Sequence, residues 1–213
     1  MSSPRQAKKL FQLLETIHPD AECALVYSDP WQLLVATILS AQCTDKRVNI
    51  VTKELFRQLP GPEQMAASTQ DQVETLVRTT GFFRNKAKNL IACAAAVLER
   101  HAGQVPQSLD ALVALPGVGR KTANVVLGNA FQIPGMVVDT HVKRLSRRFG
   151  WTCNEDPVKI EHDLSCLLPR DSWTQAAHVL IAHGREYCKA PVPNCSTCPI
   201  VEKCPRIGVE RSH

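Results

Sequence analysis

The 213-residue chain is long enough to bury a sizeable core, as one domain or two small ones, and its few aromatics beside abundant alanine, leucine and valine suit an all-helical fold. A formal charge of +5 permits a polyanionic partner without requiring one. No apolar run approaches the roughly 18 residues of a membrane span and no signal-peptide core stands near the start, so a soluble, cytoplasmic protein with no membrane partner is expected.

In chain order, Leu10, Phe11, Leu14 and Ile17 fall at helical spacing before Pro19, predicting a helix over about 5–17. The next, about Pro30 to Ala41, is apolar almost all round and reads as a core helix. A polar break at Ser40–Asp45 precedes a helix carrying Val48, Val51 and Leu55, and Pro60-Gly61-Pro62 reads as a loop. Val73, Leu76 and Val77 mark a helix closed by Gly81, and Ala87 to Leu98 trace one face of a long helix. Between them, the adjacent aromatics of Gly81-Phe82-Phe83-Arg84 predict one ring packed inward and one half exposed. The functional alternative is a wedge that enters a base stack, with Gln42, at another helix end, hydrogen-bonding in a vacated base position.

The stretch from Leu115 to Arg148 carries the strongest signal. Pro116, Gly117 and Gly119 interrupt two apolar helical patterns, and Ser108 can cap the helix that leads in. This predicts a helix–hairpin–helix whose turn presents backbone N–H groups, from Gly117 and Gly119, to a phosphate. The spacing misses that of a P-loop, and a plain helical corner with a solvated Lys121 is the bland alternative. Lys121 follows the hairpin and Asp139 opens the next helical pattern; the two read as a catalytic pair. Lys143, Arg144, Arg147 and Arg148, at i, i+1, i+4 and i+5, fall on one helical face that can meet a nucleic-acid backbone. Further helices are predicted around Ile160–Leu168 and Trp173–Tyr187, with no strand and no internal repeat.

Nine cysteines are many for a reducing compartment. Cys23, Cys43, Cys93, Cys153 and Cys166 are scattered singly on apolar patterns and read as small buried hydrophobes. Cys188, Cys195, Cys198 and Cys204 instead form Cys-x6-Cys-x2-Cys-x5-Cys, interleaved with prolines, which can wrap one compact centre. Zn2+ and a [4Fe-4S] cluster both accept four cysteines; a single Cys-x2-Cys pair, rather than two paired knuckles, favours iron–sulfur.

Three motifs in this order, Leu115-Pro-Gly-Val-Gly-Arg-Lys121-Thr-Ala-Asn, Val138-Asp139-Thr140-His141 and the cysteine loop after His183-Gly184-Arg185, resemble the endonuclease III family. These are bifunctional DNA glycosylases and abasic-site lyases of the helix–hairpin–helix superfamily. The resemblance covers nearly the whole chain. It implies an all-α, two-lobed fold: a continuous six-helix lobe over about 23–133, and a lobe from 1–22 plus 134–213 that holds a [4Fe-4S] cluster, with DNA across the cleft between them. It also implies that Lys121 is the nucleophile, Asp139 its carboxylate, and Gln42 and Phe82 the fillers of the gap left in DNA. DNA contacts are then expected at Gln42, Phe82, Gly117, Gly119, Arg120, His141, Lys143 and Arg144, and cluster ligands at Cys188, Cys195, Cys198 and Cys204. The implied reaction removes oxidised pyrimidines from duplex DNA and cleaves abasic strands by β-elimination, in a monomer associated with the nucleoid. Two features depart from the family pattern, the loop over residues 189–194 and Phe82. Lys189 is the only charge between the first two clustered cysteines, where Lys and Arg are usual, and Phe82 stands where an aliphatic residue is common.

Overall fold

A computed structural model describes residues 3–213, so residues 1 and 2, assigned above to the second lobe, lie outside the described residues. Eleven α-helices and one short 3-10 turn make up the described chain, with no strand among the described residues. None of these helices is long and apolar enough to cross a membrane. The chain divides into two compact units, one over Cys23–Ile133 and one that joins the N-terminal segment through Glu22 to Pro134–His213.

The continuous unit holds α2 (Pro30–Ser40), α3 (Asp45–Gln58), α4 (Pro62–Ala66), α5 (Gln70–Val77), α6 (Phe83–His101), α7 (Leu109–Val113) and α8 (Arg120–Ala130). Its centre is α2, whose Leu33, Leu34, Val35, Ala36 and Leu39 are fully enclosed. Packing against α3, α6 and α8 leaves α2 no solvent face, which explains a helix apolar on every side. Each buried leucine there contributes about 1.5–3 kcal/mol, an upper range for area removed from water. Four of the starts are set by side-chain caps: Asp29 accepts from the Gln32 N–H at 2.8 Å, and Thr44, Thr69 and Ser108 open α3, α5 and α7 in the same way.

The lobe has seven helices where six were expected, because Pro60-Gly61-Pro62 is not wholly loop. Pro62 is the first residue of α4, a position that tolerates its missing N–H, and Met65 is buried beneath it.

The discontinuous unit holds α1 (Pro4–Ile17), α9 (Thr140–Arg148), α10 (Pro157–Leu167) and α11 (Trp173–Glu186). Leu10, Phe11 and Leu14 of α1, Val142 and Leu145 of α9, Ile160 and Leu164 of α10, and Val179 and Leu180 of α11 are buried. Phe149 and Trp151, just past α9, meet edge to face at 5.3 Å. A loop carrying the four clustered cysteines follows α11.

Candidate active site

In the continuous unit, α7 runs into the hairpin and α8 leaves it. Gly117 and Gly119 are needed for different reasons. Gly117 has φ +76, and a Cβ there would stand 2.8 Å from Cβ of Asn89 on α6, so both the turn and its seat on α6 exclude a side chain. Gly119 is extended at φ −91 and ψ 170, and a Cβ on it would meet nothing within 4 Å. Its lack of a side chain leaves open space at the start of α8 and provides no cap, so first-turn N–H groups are directed outward. Arg120 and Lys121 are exposed in that turn, while Ala123 and Val126 anchor α8 to the core.

Two other turns of this unit bear Gln42 and Phe82. Both residues adopt the left-handed backbone region, at φ 52 and φ 50. For residues with a Cβ this costs about 1–2 kcal/mol each. Gln42 is exposed and Phe82 is 64 % exposed, so neither gains packing from the position. Phe83, by contrast, begins α6 and packs against the core, which is the inward and outward pair that the sequence predicts. The turns adjoin: a Cβ on Gly81, itself at φ +61, would lie 3.7 Å from the Gln42 carbonyl oxygen.

In the discontinuous unit, Asp139 is the N-cap of α9 and accepts the Val142 N–H at 2.8 Å through Oδ1. One oxygen suffices for a cap, which leaves the other available. Asp139 and Lys121 therefore belong to different units.

The four cations of α9 do not form one free face. Arg144 donates to the Gly184 and Cys188 carbonyls at 3.1 and 3.0 Å and to Nδ1 of His141 at 3.0 Å. Burial pulls His141 below the ordinary imidazole value, and because arginine can only donate, its Nδ1 is the acceptor. Arg148 binds the cysteine loop, reaching the Cys188 sulfur at 3.1 Å and the Lys189 and Pro191 carbonyls at 2.9 and 3.2 Å. Lys143 and Arg147 both pair with Glu155, the lysine at 2.7 Å, and these contacts hold that carboxylate below its usual range. A groove of about 640 Å3 runs past all four.

Cys188, Cys195, Cys198 and Cys204 line a single pocket with His183 and Arg148. Among the described residues, no three His, Cys, Asp or Glu side chains converge closely enough to hold one metal ion. The donors around the pocket suit thiolates. Arg148 donates to Cys188, and His183 Nε2 stands 3.5 Å from the Cys198 sulfur. His183 is fully buried, and its Nδ1 lies 3.0 Å from Nε2 of His18. Burial first, and His18 second, push its pKa to about 4, so the ring is neutral at pH 7. If His183 donates to sulfur from Nε2, its Nδ1 must accept, and His18 must donate from Nε2.

Four of the five scattered cysteines depart from the sequence expectation. Cys153 and Cys166 are exposed and Cys23 and Cys43 only half-buried, so of the five scattered cysteines Cys93 alone is a buried hydrophobe. The loop position of Cys153 and the outer face of α10 at Cys166 decide this, not residue type. His18 and Lys86 carry buried polar contacts that no motif marked. A lone histidine at a helix end or a lysine on an amphipathic helix ordinarily reads as solvated.

The model of the HhH-GPD superfamily base excision DNA repair protein matches residues 35–170. Endonuclease III of Synechocystis sp. is 48 % identical over 205 residues, 96 % of this chain and 94 % of that relative. The Bacillus subtilis endonuclease III is 42 % identical over 212 residues, 99 % and 96 % of the two chains. A solved non-covalent complex of endonuclease III with DNA matches with a TM-score of 0.92 at 40 % identity, over 96 % of each chain. A thermostable thymine-DNA glycosylase, at 20 % identity and a TM-score of 0.84 over 94 % and 95 %, shares the fold. The class is thus that of helix–hairpin–helix base excision repair proteins. Within it, this chain belongs to the endonuclease III family.

Proposed function

We propose that this chain excises oxidised pyrimidines from duplex DNA and cleaves the resulting abasic strand through a Schiff base on Lys121. The observation that carries the reading is Lys121 itself, exposed in the first turn of a helix whose N-terminus has no side-chain cap. An uncapped helix start binds phosphate and so brings an amine to the sugar beside it. A solved endonuclease III relative, 40 % identical with a TM-score of 0.92, is a trapped covalent intermediate with DNA, in keeping with a nucleophilic enzyme.

A base inside the duplex shields its sugar C1′, so the nucleotide must leave the stack at a cost of a few kcal/mol, less for a damaged base. Phe82, exposed on its turn, and Gln42 beside it fill the gap. The Lys121 amine then bonds to C1′ as the bond from C1′ to the base breaks, and the base departs with the electron pair and takes up a proton. The Asp139 carboxylate stabilises positive charge on the sugar and receives the amine proton. Ring opening leaves an iminium that acidifies the C2′ hydrogen; loss of that proton expels the 3′ phosphate and cuts the strand. Hairpin N–H groups at Gly117 and Gly119, with Arg120, His141 and Lys143, contact the backbone, so binding is salt-sensitive and independent of sequence. Arg144 acts through the cysteine loop and His141 that it braces.

Cys188, Cys195, Cys198 and Cys204 hold a [4Fe-4S] cluster in this reading. The donor set fits: four thiols line one pocket, with Arg148 donating to the Cys188 sulfur and His183 Nε2 standing 3.5 Å from that of Cys198. The cluster, when bound, supplies a rigid crosslink for the loop. The lobe over residues 1–22 and 134–213 is accordingly the cluster lobe, and the nucleoid is where the enzyme acts.

The test is a panel of defined duplexes with single lesions. Thymine glycol or a hydroxylated cytosine should be excised, with strand ends bearing a 3′ unsaturated aldehyde. Excision that leaves the abasic strand intact would remove Lys121 from the chemistry.

A further inference from the structure

Lys86 is only 5 % exposed, although it sits one turn into α6 beside the exposed Phe82. A buried ammonium costs several kcal/mol unless its N–H groups find acceptors. Here Nζ donates to two backbone carbonyls, that of Leu39 at 2.9 Å and that of Thr80. Leu39 lies at the end of α2, where carbonyls are left without intrahelical partners and the helix dipole is negative. That helix has no basic residue in its last turn, and its C-cap, Ala41, is not left-handed, so Lys86 supplies the cation from another element. Thr80 is fully buried, with its hydroxyl donating to the Val77 carbonyl at 2.8 Å, and it leads directly into Gly81 and Phe82. The two carbonyls gripped by one ammonium thus stand just upstream of Gln42 and of Phe82.

Capping α2 would need one of these contacts; the second joins two separate turns. Neither Gln42 nor Phe82 is fixed by packing of its own side chain, yet both keep a backbone conformation that costs free energy. We propose that Lys86 is a positioning residue whose ammonium locks the Gln42 and Phe82 turns together, so that the two side chains enter DNA as one preset unit. Without it each turn relaxes toward right-handed backbone, and the tips move apart. Further along the same side of α6, Asn89 seats Gly117 of the hairpin. One helix face therefore sets both the gap fillers and the phosphate-binding turn. This rests on the reading of Gln42 and Phe82 given above.

The experiment compares wild type and Lys86→Met, folded by circular dichroism, in two assays on duplex DNA. One is single-turnover excision of a paired oxidised pyrimidine, with 2-aminopurine opposite the lesion reporting disruption of the stack. The other is borohydride trapping at a preformed abasic site, which has no base to extrude. Because displacement by about 1 Å can cost about a hundredfold in rate, Lys86→Met should slow excision at least about tenfold and delay the 2-aminopurine signal, while trapping changes by less than about threefold. In a Gln42→Ala/Phe82→Ala background, adding Lys86→Met should cost less than about twofold, since the residues it positions are gone. Should Lys86→Met not fold, Lys86→Gln, too short to bridge both carbonyls, is measured against the same expectations. Equal losses in both assays, unchanged excision, or a full additive loss in the double-alanine background would overturn the proposal. A wild type that neither excises nor traps would instead sink the underlying assignment.

Discussion

Gly117 and Gly119 are two residues apart and carry opposite constraints. Gly117→Ala forces a Cβ against Asn89 at positive φ, and should cost about 2 kcal/mol or more in stability. Gly119→Ser meets open space and adds a hydroxyl that caps α8, so stability should hold or rise by up to about 1 kcal/mol. That hydroxyl takes the N–H groups assigned to phosphate, and affinity for abasic duplex should fall. Urea unfolding and fluorescence anisotropy on both variants check this; a Gly119→Ser protein that binds as tightly as wild type would deny the hairpin its role. At this scale the sequence was partly legible. Glycine and proline announce a turn through their backbone limits, so the hairpin was visible. The left-handed backbone of Gln42 and Phe82 was not, since nothing in glutamine or phenylalanine asks for positive φ. Lys86 was hidden for a similar reason: its acceptors, Leu39 and Thr80, lie on other elements.

Among the helices, α9 carries the proposed carboxylate at its start and the braces of the cysteine loop along its length. Asp139 caps it, and Arg144 and Arg148 extend from it to the cysteine loop. Asp139→Asn keeps an oxygen for the Val142 N–H, so stability should change by under about 0.5 kcal/mol, whereas Asp139→Ala should lose about 1 kcal/mol. Turnover should fall in both by about a hundredfold or more, because neither an amide nor a methyl group stabilises a cation or accepts a proton. Chemical denaturation beside single-turnover excision separates these effects, and a fully active Asp139→Asn enzyme would reassign the carboxylate. The helical period placed four cations of α9 on one side, but it gives no account of what each reaches. Glu155 and the Cys188 segment, distant in sequence or in another loop, decide that Lys143 and Arg147 pair outward while Arg144 and Arg148 brace the loop. The single turn of α4 was likewise missed, as Pro-Gly-Pro reads as loop until Pro62 is seen at a helix start.

On the scale of the whole chain, one unit is continuous and the other is assembled from the two ends. Such an assembly leaves no local pattern; only the resemblance pointed to it, whereas the apolar α2 core of the continuous unit could be read directly. In the proposed function the cysteine loop holds iron, and the two units should then respond differently to its loss. The cysteine loop has few apolar contacts of its own beyond Ile200 and the pocket lining, so removing the metal by oxidation and chelation should expose its amides and those at the end of α9 to hydrogen exchange. Amides of α2 and α6, set in a core without cysteine ligands, should stay protected. Uniform exchange across the chain after iron loss would mean that the cluster, not the core, holds both units.

A bond from the Lys121 amine to a deoxyribose carbon is the step on which the proposed chemistry turns. Borohydride reduction of the iron-replete enzyme on an abasic duplex tests it most directly, with the adduct mapped by peptide mass spectrometry. Wild type should give a covalent adduct on Lys121, absent from a Lys121→Gln variant that still binds the duplex. An adduct that persists in Lys121→Gln, or none at all with wild type, would contradict it.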